Sequence, residues 1–317
     1  MNRVNIEKTK KKIMKIKFCL LLSVFLISSL PSFSYGEKPP AIKAKHLYDI
    51  TADFCHPSDL SVGPDGRIHI LDGTNNRVVI YNPVNKQISS FKINSKQNVI
   101  SHPLGIDVAS NGDIYIADSG NHCIRIFTPE GKVKNTFKLN SNNTDPTDIV
   151  TDLNLNRCYV IDNDNHRILV YDLKNFNLID TWGESGEKPG EFQYPFLAAK
   201  DSTSTLYVVD VLNTRVQAIN PEGRTMATLG KWGVNAGQFY RPKGVTIDKK
   251  DQIYVSDSYL GVIQVFKRYR KFLGVLTDES GNLLKLKTPT GIGIDKTQKL
   301  YIVEMIRNCV SVYQIIE

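Results

Sequence analysis

Beyond residue 40 the sequence has no stretch of helical periodicity, which excludes a helical bundle or a helical solenoid. Its longest apolar run, Phe18–Leu30, is 13 residues, too short to cross a bilayer comfortably. Its five cysteines include no Cys-x-x-Cys pair, so neither a c-type haem attachment nor a dithiol redox motif is present. Gly-x-Ser-x-Gly, the glycine-rich phosphate loop and His-Glu-x-x-His are also absent, so no sequence motif marks a serine hydrolase, a nucleotide-binding loop or a zinc protease.

The N-terminus stands apart. Residues 1–36 hold seven Lys/Arg and one Glu, mostly ahead of the apolar run, and Pro31–Gly36 supplies small residues after it. Charge, apolar stretch and small residues in that order read as a cleaved secretory signal, and predict a secreted or periplasmic protein. Residues 37–44 are read as a linker. The whole chain has 40 basic and 32 acidic residues; without residues 1–36 it has 33 and 31. A mature chain so close to neutrality lacks the basic excess of a phosphate-backbone binder, so nucleic acid is not expected as a partner. No stable membrane span is expected after cleavage.

What the chain does have is a repeat. Pro103–Leu139 contains four short runs alternating apolar with small or polar residues, separated by Ser110-Asn111-Gly112, Asp118–Asn121 and Pro129-Glu130-Gly131. Period-two alternation between such breakers reads as four antiparallel strands. Prolines 57, 103, 146, 195, 242 and 289 open six such units, 46, 43, 49, 47 and 47 residues apart. Each unit has a second-strand core ending in an acid: Asp72, Asp118, Asp162, Asp210, Asp257 and Glu304. Four strands per repeat at this period predict an all-β propeller with six four-stranded blades over residues 45–317.

The units carry PLGIDVA, PKGVTID and PTGIGID at the first strand. YVIDNDNHRIL (Tyr159–Leu169) and YVVDVLNTRVQ (Tyr207–Gln217) follow, and GESGEKPGEFQYP and GKWGVNAGQFYRP link the units. In these motifs the chain resembles the NHL-repeat family across essentially residues 44–317. The resemblance implies a six-bladed propeller around a central channel, and says far less about activity. Secreted bacterial proteins of this kind often accompany multihaem cytochromes and other envelope assemblies, so an envelope protein partner is a family-level expectation. The last unit stops after its third strand. Lys45–Phe54 has the fourth-strand place and is expected to complete that blade, closing a monomeric ring without open sheet edges.

The repeated acid is expected to organise the following loop and a third-strand Arg (Arg77, Arg167, Arg215); Cys123, Val262 and Cys309 stand where the other three units would have one. His122 and His166 read as exposed loop residues, His46 and His69 as packing residues, and Lys267–Lys271 as a solvated rim turn. Cys55 and Cys309 fall on one face near the closing junction. They suit either a ring-closing disulfide or small buried thiols.

No catalytic constellation is evident, and no cofactor is predicted. Two readings follow. In the first, the propeller is a non-catalytic scaffold. Loops between the second and third strands are polar in units one to three but carry Val211, Leu212, Tyr259, Leu260, Met305 and Ile306 in units four to six, joined by Tyr194 and Phe196. Apolar side chains at loop tips either pack among the loops or bind a partner. In the second reading, a divalent metal sits at the channel mouth on His56, Asp59, His102, Asp145 and Asp148, residue types that ligate metals. The six-bladed lyases and lactonases that share this architecture use a metal there.

Overall fold

The computed structural model describes residues 39–92, 100–139 and 143–316; the expected signal segment lies outside them. Strand β1 is Ala41–Ile50. Unit one follows with β2 (Asp59–Val62), β3 (Ile68–Asp72), β4 (Arg77–Tyr81) and β5 (Ile88–Phe91). Unit two has β6 (Gly105–Val108), β7 (Ile114–Asp118), β8 (Cys123–Phe127) and β9 (Val133–Lys138). Unit three has β10 (Pro146–Asp152), β11 (Arg157–Asp162), β12 (Arg167–Asp172) and β13 (Leu178–Trp182). Unit four has β14 (Pro195–Lys200), β15 (Leu206–Asp210), β16 (Arg215–Ile219) and β17 (Thr225–Leu229). Unit five has β18 (Pro242–Ile247), β19 (Gln252–Asp257), β20 (Val262–Lys267) and β21 (Phe272–Thr277). Unit six has β22 (Pro289–Ile294), β23 (Lys299–Glu304) and β24 (Cys309–Ile315).

Each unit is an antiparallel meander, and burial follows position in it. The second strands are buried on both faces, as Ile68–Asp72 illustrates, whereas the outer strand β13 is exposed except at Trp182. Six hydrophobic clusters fill the seams. Each is shared by consecutive units, and the cluster of Ile50, Phe54, Tyr301 and Val310 with Leu60 and Ile70 joins unit six to unit one. A sheet this small cannot cover both its faces, and the seams supply the cover. The result is an all-β propeller. Its hub is a cavity of about 220 Å³ lined by residues of β2, β6, β10, β14, β18 and β22.

Units one to four are separate four-stranded sheets, but units five and six form one sheet of eight strands, in the order β18-β19-β20-β21-β1-β24-β23-β22. The sequence predicts separate sheets, and β1 makes the difference. Its residues Ala44–Ile50 pair antiparallel with Val310–Ile315 of β24, in the fourth-strand place. Before that, Ala41–Lys43 pair parallel with Val275–Thr277 of β21. The expected linker is therefore strand from Ala41 onward. Gly274 permits the contact with β21, because a Cβ there would collide with the Pro40 carbonyl, which accepts a hydrogen bond from Val275 N at 3.0 Å.

Candidate functional site

The repeated acid anchors each loop-face junction. Asp72 accepts hydrogen bonds from Cys55 N (2.9 Å), Asn75 Nδ2 (2.8 Å) and Arg77 Nε (2.7 Å). Asp162 holds Asp145 N, Asn165 and Arg167 in the same way, and Asp210 holds Gln193 N, Asn213 and Arg215. The Arg then reaches over the linker entering its own unit: Arg77 donates to the Ala52 and Asp53 carbonyls, and Arg215 to those of Glu187, Lys188 and Glu191. The absence of Arg in three units is only partly what it looks like in sequence. In unit two, Arg125 pairs with Asp118, and in unit six Arg307 pairs with Glu304 at 2.6 Å. In unit five, Asp257 accepts backbone N–H groups of Tyr240, Arg241, Tyr259 and Leu260 instead.

This geometry corrects the disulfide expectation. All four described cysteines are free thiols. Cys309 occupies the Arg place, which faces the linker entering unit six. Cys55 lies in the next linker, tied to Asp72 of unit one, with its Sγ 3.5 Å from His56 Nδ1.

His56 and His102 precede their prolines with left-handed φ of 50° and 51° and are exposed at the rim. Their backbone N–H groups donate to Asn308 Oδ1 and Asn76 Oδ1 of the preceding units. The other loop histidines are seam residues rather than free polars. His122 Nδ1 lies 2.7 Å from the Thr144 carbonyl. His166 Nδ1 accepts Tyr194 N–H at 3.0 Å, and its ring stands edge-on to Tyr194. His69 is buried, without a hydrogen-bond partner for either ring nitrogen, and burial lowers its pKa to about 4.

Asp59 and Asp148 lie deeper, on the wall of the hub cavity. Asp59 Oδ2 accepts Ile106 N–H of unit two at 3.1 Å, and its Oδ1 occupies the space a Cβ of Gly291 would need. Asp148 Oδ2 accepts Ala198 N–H of unit four at 2.7 Å, and its Oδ1 fills the space beside Gly105. Burial raises both carboxyls far above their ordinary range. The charge of Asp59 raises Asp148 further, and Asp107 adds to both. Lys200, on the same wall, counters this field: its ammonium lowers Asp107, which burial nevertheless keeps raised. Among the described residues no three His, Cys, Asp or Glu side chains are grouped to hold a metal ion. The five candidate ligands are thus divided between an exposed rim pair of histidines, a half-buried Asp145 and a buried pair of carboxyls.

The eight candidate partner residues divide too. Leu212 is 54% exposed, Ile306 59% and Tyr194 43%. Val211 is buried, and Leu260 and Met305 are half-buried. Phe196 lies under the Lys243 ammonium at 4.1 Å, and Tyr259 stacks on Tyr240 at 4.2 Å between ring centroids. Trp232, in the linker entering unit five, is 71% exposed. Sequence reasoning passed over it because that linker, GKWGVNAGQFYRP, was read only as a family motif; it is one of two tryptophans in the chain, and that rarity was the available signal. The Lys267–Lys271 run is not simply solvated, since Arg268 pairs with Asp201 of unit four at 2.9 Å.

The NHL repeat family description matches residues 54–81 and 101–127. These two segments are NHL repeats. In each, the match runs from the linker through the acid to the end of the third strand, so the NHL pattern includes the acid-centred junction described above. No curated protein matches the chain. Solved structures do match in fold. A gluconolactonase from Xanthomonas campestris has a TM-score of 0.66 at 13% identity, covering 92% of this chain and 99% of its own. Virginiamycin B lyase from Staphylococcus aureus has 0.60 at 15%, covering 87% and 100%. Kuenenia stuttgartiensis hydrazine synthase has 0.60 at 12%, covering 83% and 96%. At such identities the likeness concerns the fold of the NHL-containing chain and not its chemistry.

Proposed function

We propose that the chain is a secreted or periplasmic six-bladed NHL-type propeller that binds a protein partner on its loop face and performs no chemistry of its own. Six seam clusters and six inner strands around one hub support the blade count, with the eight-stranded sheet read as blades five and six bridged by β1. The observation that carries the binding role is the exposure of four large apolar side chains, Tyr194, Leu212, Trp232 and Ile306. All sit on loops or linkers of units four to six. Isolated exposed apolar residues are ordinary, but a group rich in aromatic and large aliphatic anchors on one sector is how contact surfaces are built. Substituting Leu212, Trp232 and Ile306 together by Ser tests this. The Tm is expected to move by less than about 2 °C, as for surface changes, while cross-linking to a specific envelope protein in the producing cell is lost. A large drop in Tm, or an unchanged cross-link, rejects the role.

A second reading is supported by the Asp59–Asp148 pair. A carboxyl raised to about 7 on a cavity wall is poised as a general acid or base, and folds of this kind occur in a lyase and a gluconolactonase. The rim histidines and the carboxyls do not assemble into a metal site, so any such chemistry would rest on the carboxyl pair. Turnover of a lactone or a cyclic depsipeptide that disappears in Asp59→Asn would establish it in place of the scaffold role.

A further inference from the structure

The charge around these anchors is uneven, and it bears on what the partner must offer. In the linker entering unit six burial alternates over Leu284–Lys287, with Leu284 and Leu286 buried and Lys285 and Lys287 exposed. The leucines join the seam between units five and six, so period-two alternation turns both ammonium groups outward. Leu286 N donates to the Gly261 carbonyl at 3.0 Å, which sets these lysines beside the unit-five loop that carries Tyr259 and Leu260. In the linker entering unit five, Lys231 is exposed next to Trp232.

The junction arginines of the loop face are neutralised. Arg77, Arg125, Arg167, Arg215 and Arg307 are each paired with the repeated acid of their unit. Lys231, Lys285 and Lys287 enter no ion pair among the described residues. The acids nearby are Asp278, held by Asn282 N and Nδ2 in its own turn, Glu279 of the same linker, and Glu304, which accepts the Lys287 N–H at 2.6 Å and is itself paired with Arg307. Lys231 thus adjoins Trp232, and Met305 N, donating to the Thr288 carbonyl at 3.3 Å, brings the turn that carries Ile306 beside Lys287. Docking a neutral or basic surface here would trap the ammonium groups beside desolvated apolar groups, which is unfavourable, whereas carboxylates would complete them.

Resting on the scaffold role, we propose that the partner enters this sector with an acidic polypeptide segment carrying aromatic or aliphatic side chains. The carboxylates meet Lys231, Lys285 and Lys287, and the apolar side chains meet Trp232, Leu212 and Ile306.

The molecule contains its own reporter, since Trp182 is buried and Trp232 exposed. The probe is a random Glu–Tyr copolymer titrated into the purified full-length protein, read by tryptophan emission, with Trp232→Phe as the control. Saturable change in Trp232 emission is expected at low salt. It should weaken at least roughly tenfold at 0.5 M NaCl, where screening shortens charge interactions to a few ångströms. The Lys231→Glu/Lys285→Glu/Lys287→Glu variant should lose binding to the same extent with its Tm unchanged, and polyglutamate without Tyr should bind more weakly. Overturning outcomes are an unchanged emission, equal binding by the charge-reversed variant, or preference for heparin or an oligonucleotide over the copolymer. Each of these leaves the scaffold role untouched, because that role falls on the triple-Ser variant and its cross-link.

Discussion

Asp59 and Asp148 are ionised at a penalty, and the sign of the consequence can be worked out. In the unfolded chain both titrate near the ordinary Asp value, about 3.9. In the folded ring burial raises both, Asp59 to about 7; the Asp59 charge raises Asp148 further, and Asp107 adds to both. Between roughly pH 4 and 7 the folded state thus binds more protons than the unfolded state, so stability falls as pH rises through that window. The Tm is expected to be several degrees higher at pH 5 than at pH 8, and Asp59→Asn/Asp148→Asn should shrink that difference. An equal pH dependence in both proteins would show that the pair is not its source. The two acids were legible in sequence because they replace a glycine of the first-strand motif, but their purpose was not. Sequence places Asp59 three positions after His56 and Asp148 three after Asp145, whereas the fold turns the His56 and His102 side chains to the rim and the carboxyls to the hub. The same limit applies to Arg125. An Arg was sought five residues after the acid, yet a strand places positions five and seven on one face, so Arg125 reaches Asp118 past Cys123. In unit six a short 3-10 turn, Met305–Arg307, brings in Arg307 from three residues away.

At the scale of elements, β1 joins more than the last unit. Its inner part supplies Ala44 and Ile50 to two seam clusters, and Asp49 pairs with Arg307 at 2.6 Å. Its outer part is hydrogen-bonded to β21. Removing residues 39–50 would expose the edges of β21 and β24 and leave buried apolar area on both sides without cover. Loss of a single cooperative melting transition is expected by calorimetry. Gly274→Val is the graded version, since it disturbs only the β21 contact. A loss of about 1–3 kcal/mol is expected, as for other overpacked sites. A deletion protein that melts like the intact one would mean β1 is peripheral. The antiparallel half of this arrangement was readable, because unit six lacks a fourth strand and Phe54 keeps its spacing to Pro57. The parallel half was not, since it depends on a backbone approach at one glycine that no periodicity records. Loop composition was similarly half-informative. Val211 and Leu212 are adjacent and equally apolar, and only the turn geometry decides that the first is buried and the second exposed.

For the whole molecule, how the ring closes determines where it can be opened. The described ends meet: β1 runs antiparallel to β24, and Ile316 N donates to the Lys43 carbonyl at 2.8 Å. A short linker from residue 316 to residue 39 should therefore be tolerated, and new termini can be placed elsewhere. Opening the chain in the Pro129–Gly131 turn leaves β9 at the new N-terminus and β6–β8 at the new C-terminus. Unit two is then closed by a strand from the opposite end of the chain, which is how β1 closes unit six in the native order. The ladder between β8 and β9 runs Cys123 to Phe127 against Lys138 to Val133, and it would hold the opened seam. Opening the chain between Lys188 and Pro189 leaves units three and four complete on opposite ends, with no strand crossing between them. That seam would retain only its apolar cluster and side-chain bonds such as Asp148 to Ala198 N and His166 to Tyr194 N. The first permutant is expected to melt cooperatively within a few degrees of the native order, and the second at distinctly lower temperature or in a broadened transition. Equal Tm values for the two would place ring stability in the seams alone and remove any special role for a strand shared between the ends.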